Sequence, residues 1–287
     1  MRVRRRYLPP GWYPGSAEQT RGAIERMESP LPSHALRGIA GVVPHAGWEF
    51  SGGVAFEVLS RISRSMDTIV IIGGHLGPAD GILCAFDEAY ETPLGPIEAD
   101  LALLEEIRQA MPVREDRYAD NTVEVQLPFI RYLFPRARVL GMRASPSTDA
   151  ESLGAAIAAA ARRLGRAVGV AGSTDLTHYG TSYGFSPAGS GEQALRWVRD
   201  TNDRRFIESL LAMDCTAALE RALRERSACS AGGALAAVSF ARESGIRKGS
   251  LVRYATSLEI RPAESFVGYA GILYAEEEAP PSTRDIL

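Results

Sequence analysis

Apolar residues along the chain follow two alternating patterns. Short continuous apolar runs, typical of strands covered on both faces, occur at residues 38–43, 68–73, 137–142 and 167–172. Segments with apolar residues on one helical face lie between them or follow them, at residues 52–63, 99–111, 122–134 and 149–164. This alternation predicts an α/β fold with a mostly parallel central sheet flanked by helices.

The second half of the chain continues with a long helical region and then returns to strands. Residues 190–243 have a mostly helical pattern, whereas residues 250–260 and 266–274 are strand-like. Gly268 and Gly271 in the last run indicate that another part of the backbone packs closely against this strand.

The two ends of the chain lack the regular alternation. Residues 1–35, the head, begin with a proline-rich stretch and are expected to follow an irregular surface path before a helix near residues 17–28. Residues 276–287 carry two prolines and several charges and are expected to form a flexible tail. Because no repeat or low-complexity linker interrupts the chain, we expect residues 1–287 to form a single domain.

Scarce imidazoles follow the predicted strands. The chain has four histidines: His45 and His75 come directly after the first two strands, and His178 follows the fourth, close to Asp175. In open α/β sheets, ligands bind beyond the carboxyl ends of the strands. We therefore expect these residues to share one site, and we expect the remaining histidine, His34, to lie on the surface.

Each of these residues also has a structural interpretation. His45 could cap the helix predicted to begin near Ser51, and the polar run at residues 173–175 could be a helix N-cap cluster, although that would not require His178. Asp175 could instead orient an imidazole or take up a proton. Glu124 could support the site or be an acidic residue favoured by a helix N-terminus.

Cys229 has the setting of a reactive thiol. It precedes the small residues 230–233 at a predicted helix start, where the helix dipole favours the thiolate. Thiolate is a strong ligand for zinc, copper and iron. The alternative is an ordinary small buried residue, which describes Cys84 and Cys215 better. Three widely spaced cysteines argue against a disulfide framework.

Composition excludes several classes of function. Hydrophobic residues make up 45% and charged residues 23% of the chain, as in ordinary soluble proteins. A net charge of −3 gives no general reason to bind nucleic acid or anionic membrane, and no apolar run is long enough to span a bilayer, so we expect a cytoplasmic protein. Lys248 is the only lysine, and we interpret the many arginines as composition bias. Phosphate-loop, nucleophile-elbow and nicotinamide motifs are absent from the sequence.

Several segments, taken in order, resemble the Memo family, whose microbial members are often called AmmeMemoRadiSam system protein B. The matching segments are residues 11–14, 44–52, 71–75, 90–95, 123–128, 173–180, Cys229 and 265–270. Motifs in the right order are hard to obtain by chance, and these segments extend over nearly the whole chain. The resemblance therefore identifies the expected single domain as Memo-like.

The resemblance implies a fold similar to that of class III extradiol ring-cleaving dioxygenases, which use non-haem iron(II). It implies metal ligands at His45, His75 and Cys229, with Asp175 and His178 as catalytic residues in the same pocket. The ring-cleaving relatives use two histidines and one carboxylate. A cysteine in the third place makes the site softer, which favours copper or zinc beside iron and weakens the inference to ring cleavage.

The sequence departs from the family pattern at four places around this site. Asn121 stands where the family usually has a histidine. The other departures are Gly73-Gly74 before His75, Ser230 after the cysteine, and Trp48 in place of a tyrosine. The missing histidine removes one potential acid, base or substrate contact, so activity could be altered or absent even where metal binds.

Three hypotheses follow. The first is a metal-dependent oxidoreductase, such as an oxygenase acting on a small aromatic compound, with His178 as acid or base and Asp175 orienting it. The second is a non-catalytic metal- or phosphopeptide-binding module on an old enzyme fold. The third is a protein partner of a radical enzyme encoded alongside it. If Cys229 is not a ligand, a carboxylate such as Glu264 or Glu49 would take its place.

Overall fold

Four parallel strands form the centre of the molecule in the computed structural model, which describes residues 1–28 and 36–276. The strands are β1 (Val3–Arg4), β2 (Gly38–Val43), β3 (Thr68–Gly73), β4 (Ile82–Cys84), β5 (Ala89–Tyr90), β6 (Ile97–Glu98), β7 (Arg114–Glu115), β8 (Arg138–Ala144), β9 (Val168–Ser173), β10 (His178–Tyr179), β11 (Ser250–Thr256) and β12 (Phe266–Ala275). The predictions for His34 and for residues 277–287 of the tail lie outside the described residues.

The order of the central strands brings three carboxyl ends together. β2, β9, β3 and β8 lie side by side in this order and are all parallel, so β9 lies between β2 and β3. Val43 pairs with Ser173, and Ile72 pairs with Gly172. Because this register keeps the three strands level, the segments that follow them emerge at one edge of the sheet.

Antiparallel strands extend the sheet on both sides. β12 pairs antiparallel with β2, β10 and β11, and β4 pairs antiparallel with β8. β1, β5 and β6 form a separate small sheet, which the sequence did not predict. The predicted α/β class with a central sheet and flanking helices is confirmed, and the sheet is mixed because only its central part is fully parallel.

Ten α-helices surround the sheet within the described ranges. They are α1 (Ala17–Met27), α2 (Gly53–Leu59), α3 (Leu101–Ala110), α4 (Asn121–Glu124), α5 (Leu127–Leu133), α6 (Thr148–Leu164), α7 (Gly191–Trp197), α8 (Asp203–Leu211), α9 (Cys215–Glu225) and α10 (Ala231–Glu243). The predicted helix over residues 122–134 is two helices, which meet at Gln126. The Gln126 side chain turns inward and donates to the carbonyl of Pro44 at 2.7 Å. No described helix has the length and apolar character needed to cross a membrane.

Both faces of the sheet are buried under helices. Along β3, Val70 and Ile72 belong to one apolar cluster, whereas Ile69 and Ile71 belong to the other. Successive side chains of a strand point to opposite faces, so a strand buried on both sides must be apolar at every position. This explains why the central strands appear in the sequence as continuous apolar runs.

Helix α10 packs unusually closely against its neighbours. A Cβ atom added at Gly154 of α6 would lie 2.3 Å from the Ala236 carbonyl oxygen and 2.7 Å from the Phe240 nitrogen, both in α10. Backbone atoms cannot turn aside as a flexible side chain can, so the contact requires glycine at this position.

We predict that Gly154→Ala lowers the free energy of unfolding by about 1–3 kcal/mol, because α6 and α10 must move apart to admit one methyl group. The matched control is Gly22→Ala in α1, where the added Cβ would meet only the flexible Arg26 guanidinium, at 3.5 Å. Helix propensity predicts that this control stabilises by about 0.5–1 kcal/mol. Urea unfolding measures both, and equal effects of the two variants would contradict the close-packing account.

Candidate metal centre

The turns after β2, β3 and β9 carry the predicted site residues. His45 lies two residues beyond β2, His75 two residues beyond β3, and Asp175 two residues beyond β9. Gly74 has a φ of +111°, and a Cβ there would lie 2.7 Å from Cβ of Arg143. A side chain at residue 74 would thus be both strained and obstructed, so glycine allows the turn that positions His75.

Cys229 reaches the same edge from the segment just before helix α10. A Cβ added at Gly233 would lie 2.2 Å from the Ile72 carbonyl oxygen, and one at Gly232 would lie 2.1 Å from that of Ala144. The two glycines therefore let the first turn of α10 rest directly on the strand ends. The Cys229 backbone N–H donates to the carbonyl of Asp175 at 3.2 Å, which joins the cysteine segment to the β9 turn.

The side chains of His45, His75 and Cys229 converge on one point. His45 Nε2 lies 3.2 Å from both His75 Nε2 and Cys229 Sγ. Metal–nitrogen bonds of about 2.0 Å and a metal–sulfur bond of about 2.3 Å, arranged tetrahedrally, would place such donor atoms roughly 3.3–3.6 Å apart. The observed distances are close to these values, so the three residues fit a single metal ion.

Burial sets the protonation of this donor set in the metal-free protein. Burial lowers the pKa of His45, so its imidazole is neutral at physiological pH and available as a ligand. Burial and the charge of Asp175 raise the pKa of Cys229, which outweighs the effect of the helix N-terminus that the sequence indicated. The thiol therefore has to lose its proton when a metal binds.

Each candidate imidazole ligand has a partner on its other nitrogen. His45 Nδ1 lies 3.3 Å from Ser173 Oγ, and His75 Nδ1 lies 3.6 Å from a carboxylate oxygen of Asp120. Burial alone would raise the pKa of Asp120, but hydrogen bonds with His75 and Thr122 outweigh it and lower the pKa. Such partners direct the free nitrogen of a ligating histidine toward its metal.

Asp175 and His178 lie close to Cys229 and form a second cluster of polar side chains with it. One carboxylate oxygen of Asp175 accepts the His45 backbone N–H at 2.7 Å, and the other lies 3.9 Å from both His45 Nε2 and His178 Nε2. Nε2 of His178 is buried and makes no hydrogen bond within the described residues. Burial lowers the pKa of His178, so its neutral ring can accept a proton.

The turn that carries Asp175 and His178 rests on a buried carboxyl group that the sequence did not single out. Asp203 accepts the Thr177 backbone N–H at 3.1 Å and the Tyr254 hydroxyl at 2.8 Å. Burial raises the pKa of Asp203 to about 7. A Cβ at Gly268 would lie 2.0 Å from this carboxyl, so the close neighbour of Gly268 is a side chain and not the backbone segment that the sequence predicted.

A cavity of about 400 Å³ opens beside the cluster. Its aromatic lining consists of Trp12, Phe50, Tyr183 and Tyr269, and its polar lining includes Arg261. These residues were not predicted as site residues, because they come from distant segments and no local pattern connects them. The lining therefore combines aromatic rings with polar and charged side chains.

Asn121, which departs from the family pattern, lies at the site, whereas the alternative ligands Glu49 and Glu264 do not join the metal-binding groups. Asn121 lines the cavity and donates to the carbonyl of His45 at 3.1 Å, so it supports the backbone of a candidate ligand. Glu49 lies 3.5 Å from Arg261, and Glu264 is exposed. Among the described residues, the groups able to hold a metal include neither Glu49 nor Glu264.

Glu124 holds the head of the chain in place through hydrogen bonds. Its carboxylate accepts the backbone N–H groups of Tyr7 and Leu8 at 2.9 and 3.0 Å, and the hydroxyl of Tyr13 at 2.7 Å. The segment held in this way includes Trp12, whose carbonyl accepts the Trp48 backbone N–H at 2.8 Å. Glu124 therefore acts on the site through the head, an alternative that sequence reasoning did not consider.

We predict that Asp120→Asn weakens metal binding at least about ten-fold, because the amide removes the negative charge beside His75 while it can still cap α4. Zinc titration against a competing chelator measures the affinity. The control is Asp149→Asn, which removes an exposed carboxylate in α6. Unchanged affinity in Asp120→Asn would show that His75 does not depend on this carboxylate.

We predict that Glu124→Gln makes the amides of residues 7–13 exchange at least about ten-fold faster, because the carboxamide has one acceptor oxygen instead of two and its remaining hydrogen bonds to the head are no longer assisted by charge. Hydrogen-exchange mass spectrometry reports this segment directly. Glu18→Gln, at an exposed position of α1, is the control and should leave exchange unchanged. Full protection of the head in Glu124→Gln would mean that other contacts hold it.

The amino-acid sequence is similar to those of Memo-like proteins along most of its length. The model of the family described as Memo-like protein matches residues 6–273. A MEMO1 family protein of Thermococcus onnurineus is 34% identical over 281 residues, which cover 92% of this chain and 96% of that protein. One of Pyrobaculum arsenaticum is 33% identical over 294 aligned positions, covering 96% and 99%.

Among solved structures, an uncharacterized protein of Escherichia coli K12 is similar, with a TM-score of 0.54 and 13% sequence identity. The match covers 83% of this chain and 100% of that chain. At this identity the likeness concerns the fold alone. The family model, by contrast, spans nearly the whole sequence, and relatives above 30% identity align along almost their full length. The chain belongs to the Memo family.

Proposed function

We propose that the protein is a metal-dependent oxidoreductase that acts on a small aromatic or phenolic molecule. The observation that carries the proposal is the convergence of two imidazoles and one thiol at 3.2 Å beside a cavity with aromatic walls. His45, His75 and Cys229 would hold the ion. Two nitrogen donors and one sulfur donor suit copper or zinc, and also iron, but zinc has no redox chemistry.

The protein's own residues divide the remaining tasks. A bound metal would supply Lewis acidity and, for iron or copper, electron transfer. His178 accepts a proton from a hydroxyl group in the cavity, since burial keeps its ring neutral. The negative charge of Asp175 stabilises the imidazolium that results, and it offsets part of the lowering of the His178 pKa by burial. The aromatic walls contact the substrate ring and limit access of water.

A second candidate function is metal binding without catalysis. It is favoured by Asn121, which replaces the usual family histidine and whose amide contacts the His45 backbone instead of providing an acid or base. Phosphopeptide binding and partnership with a radical enzyme rest on the family resemblance alone.

We predict that protein purified anaerobically without a polyhistidine tag contains close to one iron or copper ion per chain. Elemental mass spectrometry should find this metal absent from His45→Ala and His75→Ala and strongly reduced in Cys229→Ser. His178→Ala should retain the metal, because His178 lies outside the ligand set that we propose. Equal metal content in all variants would show that the ions bind elsewhere.

Oxygen consumption with a panel of small phenols then separates catalysis from binding. We expect turnover in the metal-loaded protein and a loss of about 10²–10⁴-fold in His178→Ala. Intact turnover in His178→Ala would remove this residue from the mechanism. Stoichiometric iron or copper with no turnover on any phenol would favour the metal-binding module.

A further inference from the structure

A second cavity, which we call the arginine pocket, lies at the opposite end of the sheet from the metal centre. It has a volume of about 1000 Å³ and adjoins the amino ends of β3 and β8. Five arginines and two acidic residues line it: Arg64, Arg131, Arg136, Arg138, Arg166, Asp67 and Glu98. The whole chain has a net charge of −3, so this lining is a local concentration of positive charge.

Two of these arginines are fixed in place by neutral groups. Arg64 donates to the carbonyl of Leu133 at 2.6 Å and lies over the ring of Phe134 at 5.4 Å. Arg131 donates to the carbonyl of Pro135 at 2.7 Å, and its Nε is buried without a hydrogen bond in the described part of the chain. Their guanidinium groups are held near the cavity and form no ion pair with a described residue, although the charge of Glu28 acts on Arg64.

Two of the five arginines have acidic partners, and Asp67 has a backbone partner. Arg138 lies 3.8 Å from Glu98, and Arg166 pairs with the buried Asp100. Asp67 accepts the backbone N–H of Ala167 at 2.9 Å. Within residues 1–28 and 36–276, Arg64, Arg131 and Arg136 form no ion pair. Burial, and then the nearby charge of Arg37, lowers the pKa of Arg64, as expected for crowded cations.

The richness of the whole chain in arginine does not account for this arrangement. Elsewhere on the surface, some arginines form no ion pair with a described residue, and others pair with an acidic residue one helical turn away. Examples are Arg61 with Glu57, Arg196 with Glu192, Arg204 with Glu208, and Arg224 with Glu220. Composition bias predicts such paired arginines as readily as unpaired ones. It does not predict three unpaired guanidiniums around one cavity.

We propose that the arginine pocket binds a small compound that carries two or more linked phosphate groups. The planar guanidinium fork matches phosphate oxygens, and a multiply charged anion can neutralise several arginines at once. The volume of the cavity is that of a small-molecule site. Nucleic acid would instead require basic residues spread along an extended surface. Apolar residues beside the arginines, including Ile97 and Phe134, would contact the part of the ligand that carries the phosphates.

Isothermal titration of the full-length protein with four anions tests the proposal. The anions are orthophosphate, tripolyphosphate, adenosine triphosphate and citrate, a carboxylate of high charge. We expect tripolyphosphate to bind at least ten-fold more tightly than orthophosphate or citrate. Tighter binding of the nucleotide than of tripolyphosphate would identify a phosphorylated organic ligand, and equal binding would identify the phosphate chain alone. Polyphosphates chelate metal ions, so Cys229→Ser is titrated in parallel and should give the same affinities.

Substitutions of single arginines test whether the anion binds in the arginine pocket. Arg64→Gln and Arg131→Gln should each lower the affinity for tripolyphosphate at least five-fold. Arg136→Gln should lower it without altering thermal stability, because Arg136 makes no hydrogen bond to the described residues. Arg196→Gln and Arg224→Gln remove the same charge at paired surface positions and should have no effect. Equal affinities for tripolyphosphate and citrate, or equal losses in pocket and control variants, would reduce the cavity to general surface charge and overturn the proposal.

Discussion

The close contact between the first turn of α10 and the ends of three parallel strands is the constraint on which the rest of the site depends. At Gly232 and Gly233 the strand backbone lies so close that no side chain would fit. Gly172 of β9 contacts the same turn, because a Cβ added there would lie 2.4 Å from the Gly233 carbonyl oxygen. This contact fixes where α10 begins. It therefore fixes the position of Cys229 relative to both histidines, although 154 residues separate Cys229 from His75 in the sequence.

The same packing determines the electrostatics of the centre. Because helix and sheet exclude water, neutral forms are favoured, and burial lowers the pKa of His45 and raises that of Cys229. The neutral forms of His45 and Cys229 do not repel each other at their short separation. A metal cation would be attracted by the thiolate that remains once the thiol has lost its proton, and the negative charges of Asp120 and Asp175 would stabilise the cation from either side.

Sequence patterns were sufficient for the parts of the structure that depend on local chemistry. Continuous apolar runs predicted the four central strands, and imidazoles at strand ends predicted one shared site, because parallel strands must end at the same edge. The partners of the ligands were not predictable in this way. Asp120, Asp203 and Trp12 reach the site from the α4 N-cap, from α8 and from the head, and their roles depend on tertiary packing that leaves no periodic signal. The Cys229 pKa was misjudged because the helix dipole is local, whereas burial is a property of the whole fold.

X-ray absorption spectroscopy at the edge of the bound metal tests the central claim most directly, because it counts the donor atoms around the ion. We expect one sulfur neighbour at about 2.3 Å and two imidazole nitrogens at about 2.0 Å, with the sulfur contribution absent in Cys229→Ser. A first shell of oxygen and nitrogen alone in the wild-type protein, or a sulfur contribution that survives in Cys229→Ser, would contradict it. In either case the convergence of His45, His75 and Cys229 would not be a metal centre of the kind inferred.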